Sequence, residues 1–281
     1  MDKVILWDES IPEKLFKLSE EELDLFLLLI DYLDENGIHT QLVYDLYDNP
    51  DLWEWFGSKE PIELQDIKKE IIKKMGKAIK INRNVYAEKT NQVGKIGDYV
   101  VLVLDFHNND VYYVSTKDEL YRGLRKYLSM EKKNDFCVDM KACFPNIFFH
   151  EDVAISMNSL NRSFEEIREE IVEHLTKIND YHEKFAYLLS KNKSNQLICQ
   201  EFFADTKIEC SPQTGRDGIR LLKIDCYNSA TKQMETIKCE LHTKFKRFNI
   251  DRTKQDRIYF FPGKPGIQDG KIIVKHIGKH L

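Results

Sequence analysis

The sequence lacks the signatures of several large enzyme classes. It contains no GxxxxGK[ST] phosphate loop, no GxGxxG, no GxSxG and no HExxH motif, so nothing in it predicts an NTPase, a dinucleotide-dependent enzyme, a serine hydrolase or a zincin. Its six cysteines are scattered over 281 residues without a CxxC pair, which indicates neither a disulfide framework nor a zinc site. Reduced thiols and a cytoplasmic location are therefore expected.

Long apolar runs are also missing. The longest is Leu25–Ile30, which lies between Asp24 and Asp31, whereas a membrane-spanning helix needs about 20 apolar residues. The opening residues 1–3 lack the basic and then apolar pattern of a secretion signal. No membrane partner is expected.

The charge distribution is uneven along the chain. Residues Cys239–Leu281 hold ten Lys and Arg, only four Asp and Glu, and three of the eight histidines. This tail carries a net formal charge of +6, and because the whole chain carries −5, the remaining 238 residues carry −11. A basic tail predicts a surface for RNA or another polyanion, and we expect the acidic N-terminal domain to bind a protein partner or inhibitor or to regulate the protein.

The first half of the chain predicts a helix-rich domain with a small sheet, residues 1–150. A capping box at Ser19 and Glu22 marks the start of one helix, and the segment Tyr99–Phe106, which is apolar except for Asp105, predicts a strand. The turn signal 107–110 and the short apolar run Val111–Val114 predict that this strand belongs to an antiparallel hairpin. Other expected elements are a strand at Val4–Trp7 and helices at Ile62–Ile79 and from Ser115 to about Leu128.

The second half predicts a domain of residues 160–281, with a boundary between 130 and 160. A second capping box at Ser163 and Glu166 opens a helical pair. Alternating apolar residues then predict four or five antiparallel strands, so the expected class is α+β. The predicted strands are Gln200–Glu209, Gly218–Tyr227, Thr236–Phe245, Asp256–Phe261 and Lys271–Ile277.

Strand alternation predicts a polar face in the basic tail. His242 and Lys244 fall on one side of their strand, and Arg257 and Tyr259 share a side of the next. If these strands are neighbours, imidazole, ammonium, guanidinium and phenol groups meet on one surface.

The final strand adds a further set of polar residues to this prediction. In an extended chain His276 and His280 point one way, while Lys275 and Lys279 point the other. Metal-free RNA cleavage needs a base for the 2′-hydroxyl, cations for the phosphate and an acid for the leaving 5′-oxygen. We predict His242 as the base, His276 or His280 as the acid, Arg257 and Lys244 as phosphate ligands, and Tyr259 as a positioning residue. The predicted substrate-binding set is Lys246, Arg247, Lys275 and Lys279.

The end of the chain resembles the closing hairpin of RelE/ParE-type toxins. Asp256–Phe261 resembles the family's Arg-hydrophobic-Tyr strand, and Lys271–His280 resembles its apolar strand with a basic, His-containing end. The resemblance implies a helical pair against a small antiparallel sheet and, for ribonuclease members, RNA cleavage without a metal or cofactor. It implies functional positions at Arg257, Tyr259, Lys275 and His276.

A second resemblance concerns the last twelve residues. Gly270–Leu281, together with residues 240–242, resembles the C-terminal segment of effector-like proteins in bacterial anti-phage and abortive-infection systems. This resemblance implies a toxin-like effector in phage defence.

Two other functions are consistent with the same residues. In a magnesium-dependent nuclease of the PD-(D/E)xK type, Asp225 and Glu240 would hold the ion, with His242 at the position that this family gives to lysine. Alternatively, the tail binds RNA without cleaving it, as a component of a toxin or defence complex.

Overall fold

The computed structural model of this chain describes residues 2–94, 99–106, 110–247 and 254–281. The chain forms two compact units that divide between Tyr127 and Leu128. Helices and both parallel and antiparallel strand pairs are present, so the fold class is α+β.

The first unit alternates strands with helices. Its strands are β1 (Asp2–Trp7), β2 (Thr40–Val43), β3 (Ile79–Ile81), β4 (Tyr99–Leu104) and β5 (Tyr113–Val114). Its helices are α1 (Ile11–Leu15), α2 (Glu20–Glu35), α3 (Pro50–Gly57), α4 (Ile62–Lys77), α5 (Arg83–Thr90) and α6 (Lys117–Leu128).

The five strands form one parallel sheet in the order β3-β2-β1-β4-β5. Helices cover both of its faces, because Phe26 of α2 packs on Trp7 whereas Tyr86 of α5 packs with the neighbouring residue Leu6 on the other face. The order reverses between β1 and β4, as in doubly wound α/β sheets.

The antiparallel hairpin predicted for this region is wrong. β5 runs parallel to β4 and pairs through only two residues, Tyr113 with Val103 and Val114 with Leu104. Residues 107–109 of the predicted turn lie outside the described residues. The continuous apolar run Val100–Leu104 belongs to a strand that is buried on both faces, and this pattern is typical of central parallel strands rather than hairpins.

The second unit begins at Leu128. Its helices are α7 (Lys133–Cys143), α8 (Asp152–Ser156), α9 (Phe164–Asp180), α10 (His182–Ser190), α11 (Asn195–Thr206) and α12 (Arg216–Leu221). Its strands are β6 (Ile147–Phe149), β7 (Cys210–Pro212), β8 (Lys223–Asn228), β9 (Gln233–Lys238), β10 (Leu241–Lys244), β11 (Arg257–Phe261) and β12 (Ile272–Gly278).

The main sheet of this unit is mixed, with the order β6-β12-β11-β10-β7. β10, β11 and β12 are antiparallel neighbours, but β6 pairs parallel with β12. The all-antiparallel sheet predicted from the RelE/ParE resemblance is therefore wrong in this detail. Because β6 belongs to the sheet, residues 128–150 lie in the second unit and not, as predicted, in the first domain.

Two predicted strands in this half are partly or wholly helical. Gln200–Glu209 overlaps α11, because Ser194 caps that helix and Ile198 and Phe202 form a buried stripe at helical spacing. Residues 218–221 of the next predicted strand, Gly218–Tyr227, belong to α12. The predicted strand Thr236–Phe245 is divided into β9 and β10 by residues 239–240, so that β8 and β9 form a separate two-stranded sheet.

The two faces of the main sheet have different neighbours. Phe260 packs on Phe185 of α10, which stacks on Phe202 of α11 with ring centroids 5.6 Å apart. On the other face Tyr259 packs with Cys226 and Ile237 of the β8–β9 sheet. Tyr259 and the polar residues beside it therefore face away from these helices.

Candidate functional site

The register of β10, β11 and β12 places several of the predicted site residues next to one another. In the β10–β11 pair, Lys244 lies opposite Arg257 and His242 opposite Tyr259. Tyr259 in turn lies opposite His276 of β12. Because directly paired residues share a face, three strands contribute side chains to a single cluster.

Tyr259 lies at the centre of this cluster and is fully buried. Its ring centroid is 4.8 Å from that of His242 and 5.6 Å from that of His276. Its hydroxyl accepts hydrogen bonds from Arg257 Nη1 at 3.4 Å and from the backbone N–H of Leu281 at 3.1 Å. Tyr259 thus connects the two histidines, and its burial suits it to positioning.

His242 is a buried, neutral ring. It is 2 % exposed, and burial, together with the charges of Arg257 and Lys244, lowers its pKa to about 3, although the Glu240 backbone opposes this shift. Nε2 lies 3.0 Å from Arg257 Nη1 and 3.1 Å from Ser211 Oγ. Arginine only donates, so Nε2 is the acceptor and the ring proton is on Nδ1. A ring with this pKa is a weak base at neutral pH, which argues against the role as general base that alternation suggested.

Arg257 is a buried cation with neutral partners. It is 8 % exposed, Nη1 donates to His242 and Tyr259, and Nε makes no hydrogen bond. Over the described ranges of the chain, its guanidinium forms no ion pair with a carboxylate. The preceding carboxylate, Asp256, instead accepts hydrogen bonds from Asn161 and Arg162. Among the described residues, no carboxylate therefore compensates the charge of Arg257.

The more exposed edge of the cluster carries Lys244 and His280. Lys244 is partly exposed and lies 3.9 Å from Glu209 Oε1. The pKa of His280 is lowered by partial burial and by the charges of Arg257 and Lys244, so His280 lies near both cations. Of the predicted substrate-binding residues, Lys246 and Arg247 are exposed just after β10.

His276 and Lys275 have different surroundings in β12. A register shift between Tyr259 and Phe260 leaves Lys275 without an opposite residue in β11 and keeps His276 beside Tyr259. His276 Nε2 lies 3.0 Å from the carbonyl of Lys279, and burial lowers its pKa.

Lys275 forms an ion pair with Asp152 and approaches His150 Nδ1 at 3.3 Å. Its charge is thus already paired, which argues against its predicted part in substrate binding. Lys279 is exposed, and its backbone N–H donates to Ser159.

The two carboxylates of the magnesium alternative belong to different elements. Asp225 lies on β8 and accepts a hydrogen bond from Thr236 Oγ1, whereas Glu240 lies between β9 and β10 and accepts one from Asn195 Nδ2. Within the part of the chain that the structure describes, no group of three or more His, Cys, Asp or Glu residues is placed to hold a metal ion.

Two residues of the site were not predicted from the sequence. Ser211 on β7 contacts His242, and Gln213 Nε2 donates to the carbonyl of Leu281 at 2.7 Å. Gly218 leaves room for this contact, because a Cβ there would lie 2.4 Å from Gln213 Nε2 and 3.0 Å from the Leu281 oxygen. Nothing in the local pattern around residue 211 indicated that β7 would pair with β10.

Sequence reasoning also missed a polar cluster in the first unit, at the carboxyl ends of β1 and β4. Asp8 accepts hydrogen bonds from Ser10, and Asp105 forms an ion pair with Lys14. Burial and the charges of Asp8 and other aspartates raise the pKa of Tyr113. β1 and β4 are the strands between which the order reverses, where open α/β sheets bind ligands. The signal was a carboxylate directly after each of two apolar strands.

A comparison with known protein families finds no family that matches this chain. No curated protein and no solved structure matches it either. In the ranges described above, no helix is both long enough and apolar enough to cross a lipid bilayer.

Proposed function

We propose that the second unit binds RNA through Arg257 and cleaves it without a metal ion. The observation that carries the proposal is a guanidinium that is 8 % exposed and whose hydrogen-bond partners, in the described part of the chain, are neutral groups. Burying a charge without a counter-charge costs several kcal/mol, on the order of 3–5. An anion that reaches the guanidinium removes this cost, and phosphate fits its donor geometry.

The proposed mechanism assigns proton transfer to the edge of the cluster. His280 takes the 2′-hydroxyl proton, and its lowered pKa keeps the ring neutral and able to accept. The 2′-oxygen attacks phosphorus, the bond to the 5′-oxygen breaks, and Lys244 donates a proton to that oxygen. The products are a 2′,3′-cyclic phosphate and a 5′-hydroxyl.

The buried residues hold the phosphate-binding cation in place. His242 and Tyr259 accept the hydrogen bonds of Arg257 Nη1, so the guanidinium does not have to reorganise when charge develops on the phosphate. In this mechanism His242 and Tyr259 are positioning residues. The resemblance of Asp256–Phe261 and Lys271–His280 to the RelE/ParE hairpin supports a toxin-like role, which a growth assay after induction tests. The resemblance of Gly270–Leu281, with residues 240–242, to anti-phage effectors supports a part in phage defence, which a phage challenge tests.

The test uses the purified full chain with labelled RNA and DNA, each with EDTA and with Mg²⁺. We expect RNA cleavage that survives EDTA and falls about 100-fold or more in Arg257→Gln. Arg216→Gln, which removes an exposed arginine of α12, is the matched control and should keep full activity. Cleavage only with Mg²⁺ would overturn the mechanism in favour of the magnesium alternative, and salt-dependent binding without cleavage would favour an RNA-binding component.

A further inference from the structure

The β8–β9 hairpin has one packed face and one open face. Ile224 and Cys226 of β8 and Ile237 of β9 pack with Tyr259 of the main sheet. Alternation turns three other pairs outward, namely Lys223–Lys238, Asp225–Thr236 and Tyr227–Met234. The inward residues therefore attach the hairpin to the main sheet. The outward residues do not contribute to this packing.

The outward face combines an aromatic residue, a thioether and two opposed cations. Tyr227 lies opposite Met234, and these side chains are 58 % and 64 % exposed. Lys223 lies directly opposite Lys238, and like charges in this position destabilise a strand pair. An exposed ring beside two cations is a surface that an anionic partner with flat groups can contact.

The middle pair of this face does not cancel the positive charge. Asp225 lies opposite Thr236 and accepts a hydrogen bond from its hydroxyl. One carboxylate against Lys223 and Lys238 leaves the face with a net formal charge of +1. A polyanion with flat, stackable groups matches both the charge and the exposed ring.

A cleft beside β9 extends this surface. Its volume is about 300 Å³, its apolar wall includes Leu241 and Phe261, and Lys238 lies at its rim. The acidic groups that line it are already engaged: Glu235 forms an ion pair with Lys264, and Glu240 binds Asn195. The volume is at the lower end of that of small-ligand sites, which is adequate for a single base.

We propose that the outward face of the β8–β9 hairpin binds single-stranded RNA, which rests on the RNA-directed function proposed above. A base stacks on Tyr227 beside Met234, and the flanking phosphates lie against Lys223 and Lys238. Unpaired bases expose the ring faces that aromatic side chains recognise, whereas bases in a duplex do not. The hairpin thus selects single-stranded RNA over a duplex.

The test measures binding of a fluorescent 2′-O-methyl oligonucleotide to the full chain by anisotropy. The oligonucleotide lacks the attacking 2′-hydroxyl and is not cleaved. We expect Tyr227→Ala to weaken binding about 5- to 100-fold, as for loss of one stacked base, and Tyr227→Phe to restore most of it. The matched control is Tyr187→Ala, which removes a tyrosine of α10 that is 56 % exposed and should bind normally.

The charged pair provides a second measurement. The double variant Lys223→Ala/Lys238→Ala should lower the slope of log K against log salt by about 1.4, the value for two phosphate contacts to a single strand. A duplex of the same sequence should bind more weakly than the single strand and should not respond to Tyr227→Ala.

The outcomes separate this inference from the proposed function. If RNA is cleaved but Tyr227→Ala and the lysine variant bind it normally, only the hairpin inference is overturned. If Tyr227→Ala changes oligomeric state instead of RNA binding, the face is a protein interface and the inference is again overturned. If the unaltered chain neither binds nor cleaves RNA, both proposals fail.

Discussion

One buried charge in the first unit and one in the second have opposite kinds of partner. In the first unit the carboxylate of Asp105, which is 6 % exposed, is paired with the ammonium of Lys14. In the second unit the guanidinium of Arg257 is paired with a neutral imidazole and a neutral phenol. A charge in an ion pair produces little electric field outside the pair. A charge that is hydrogen-bonded to neutral groups can still attract a charged ligand. The difference favours the second unit as the anion-binding part of the chain.

The main sheets of the two units also differ in what covers their faces and in where their polar residues lie. The parallel sheet of the first unit is covered by helices on both faces, and its cluster of Asp8 and Asp105 lies where β1 and β4 end. In the main sheet of the second unit, the face with Tyr259 is covered by a small hairpin. A polar cluster can therefore form across the strands of that sheet.

Replacing one titratable residue in each unit tests where cleavage takes place. His280→Gln should lower the rate of RNA cleavage about 100-fold or more, because it removes the proposed base. Asp105→Asn in the first unit should leave the rate unchanged. Initial rates on labelled RNA in EDTA measure both. The reverse result, a loss in Asp105→Asn and none in His280→Gln, would move the active site to the carboxyl ends of β1 and β4.

Acid should destabilise the second unit selectively. Burial lowers the pKa of His174 and of His242 to about 3, whereas an unfolded histidine titrates near 6.5. Below pH 6.5 the unfolded chain binds protons that the folded unit does not, so its free energy of unfolding falls as the pH decreases towards 3. Each of the two rings should lower the free energy of unfolding by about 2 kcal/mol between pH 7 and pH 5.

Urea unfolding at pH 7 and pH 5 checks this expectation. All three tryptophans, Trp7, Trp53 and Trp55, lie in the first unit, so tryptophan fluorescence reports that unit while circular dichroism reports both. We expect the midpoint to fall more by dichroism than by fluorescence. In His174→Gln the difference between the two pH values should shrink by about 2 kcal/mol, and an unchanged difference would contradict the assignment.

Replacing one buried and one surface carboxylate compares the two units in a further way. Asp256 of the second unit is 1 % exposed and accepts hydrogen bonds from Asn161 and Arg162, so Asp256→Asn should lower the free energy of unfolding by about 1–3 kcal/mol. Asp34 of the first unit binds Lys74 and Lys77 at the surface, where solvent screens the pair. Asp34→Asn should have the smaller effect on the thermal midpoint, and equal shifts would contradict the comparison.

Sequence patterns predicted local structure correctly where that structure depends on residues close together in the chain. Ser19 and Ser163 form the predicted capping boxes with Glu22 and Glu166, because a cap involves residues only three apart. Asp256–Phe261 and Lys271–Ile277 also form the expected strands β11 and β12. The hairpin in the first unit and the strand at Gln200–Glu209 were wrong, because strand direction and helix burial depend on distant packing.

Several members of the candidate site were predictable from the sequence, but their burial and charge were not. Alternation placed His242, Arg257 and Tyr259 on one surface, and strand register brings them together. Strand alternation could not indicate that His242 is 2 % exposed and neutral, because the alternating pattern is the same whether the polar face is buried or exposed.

The amino-acid sequence by itself determined the α+β class, the helix caps, the strands that end the chain and their excess of positive charge. These features depend on composition and on residues a few positions apart. Only the tertiary structure decided which charges are cancelled and which are not. The partner of Asp105 is 91 positions away in sequence, and that of Arg257 is on another strand. Burial and pairing follow from contacts made when distant segments meet, and those contacts determine whether a charge can bind a ligand.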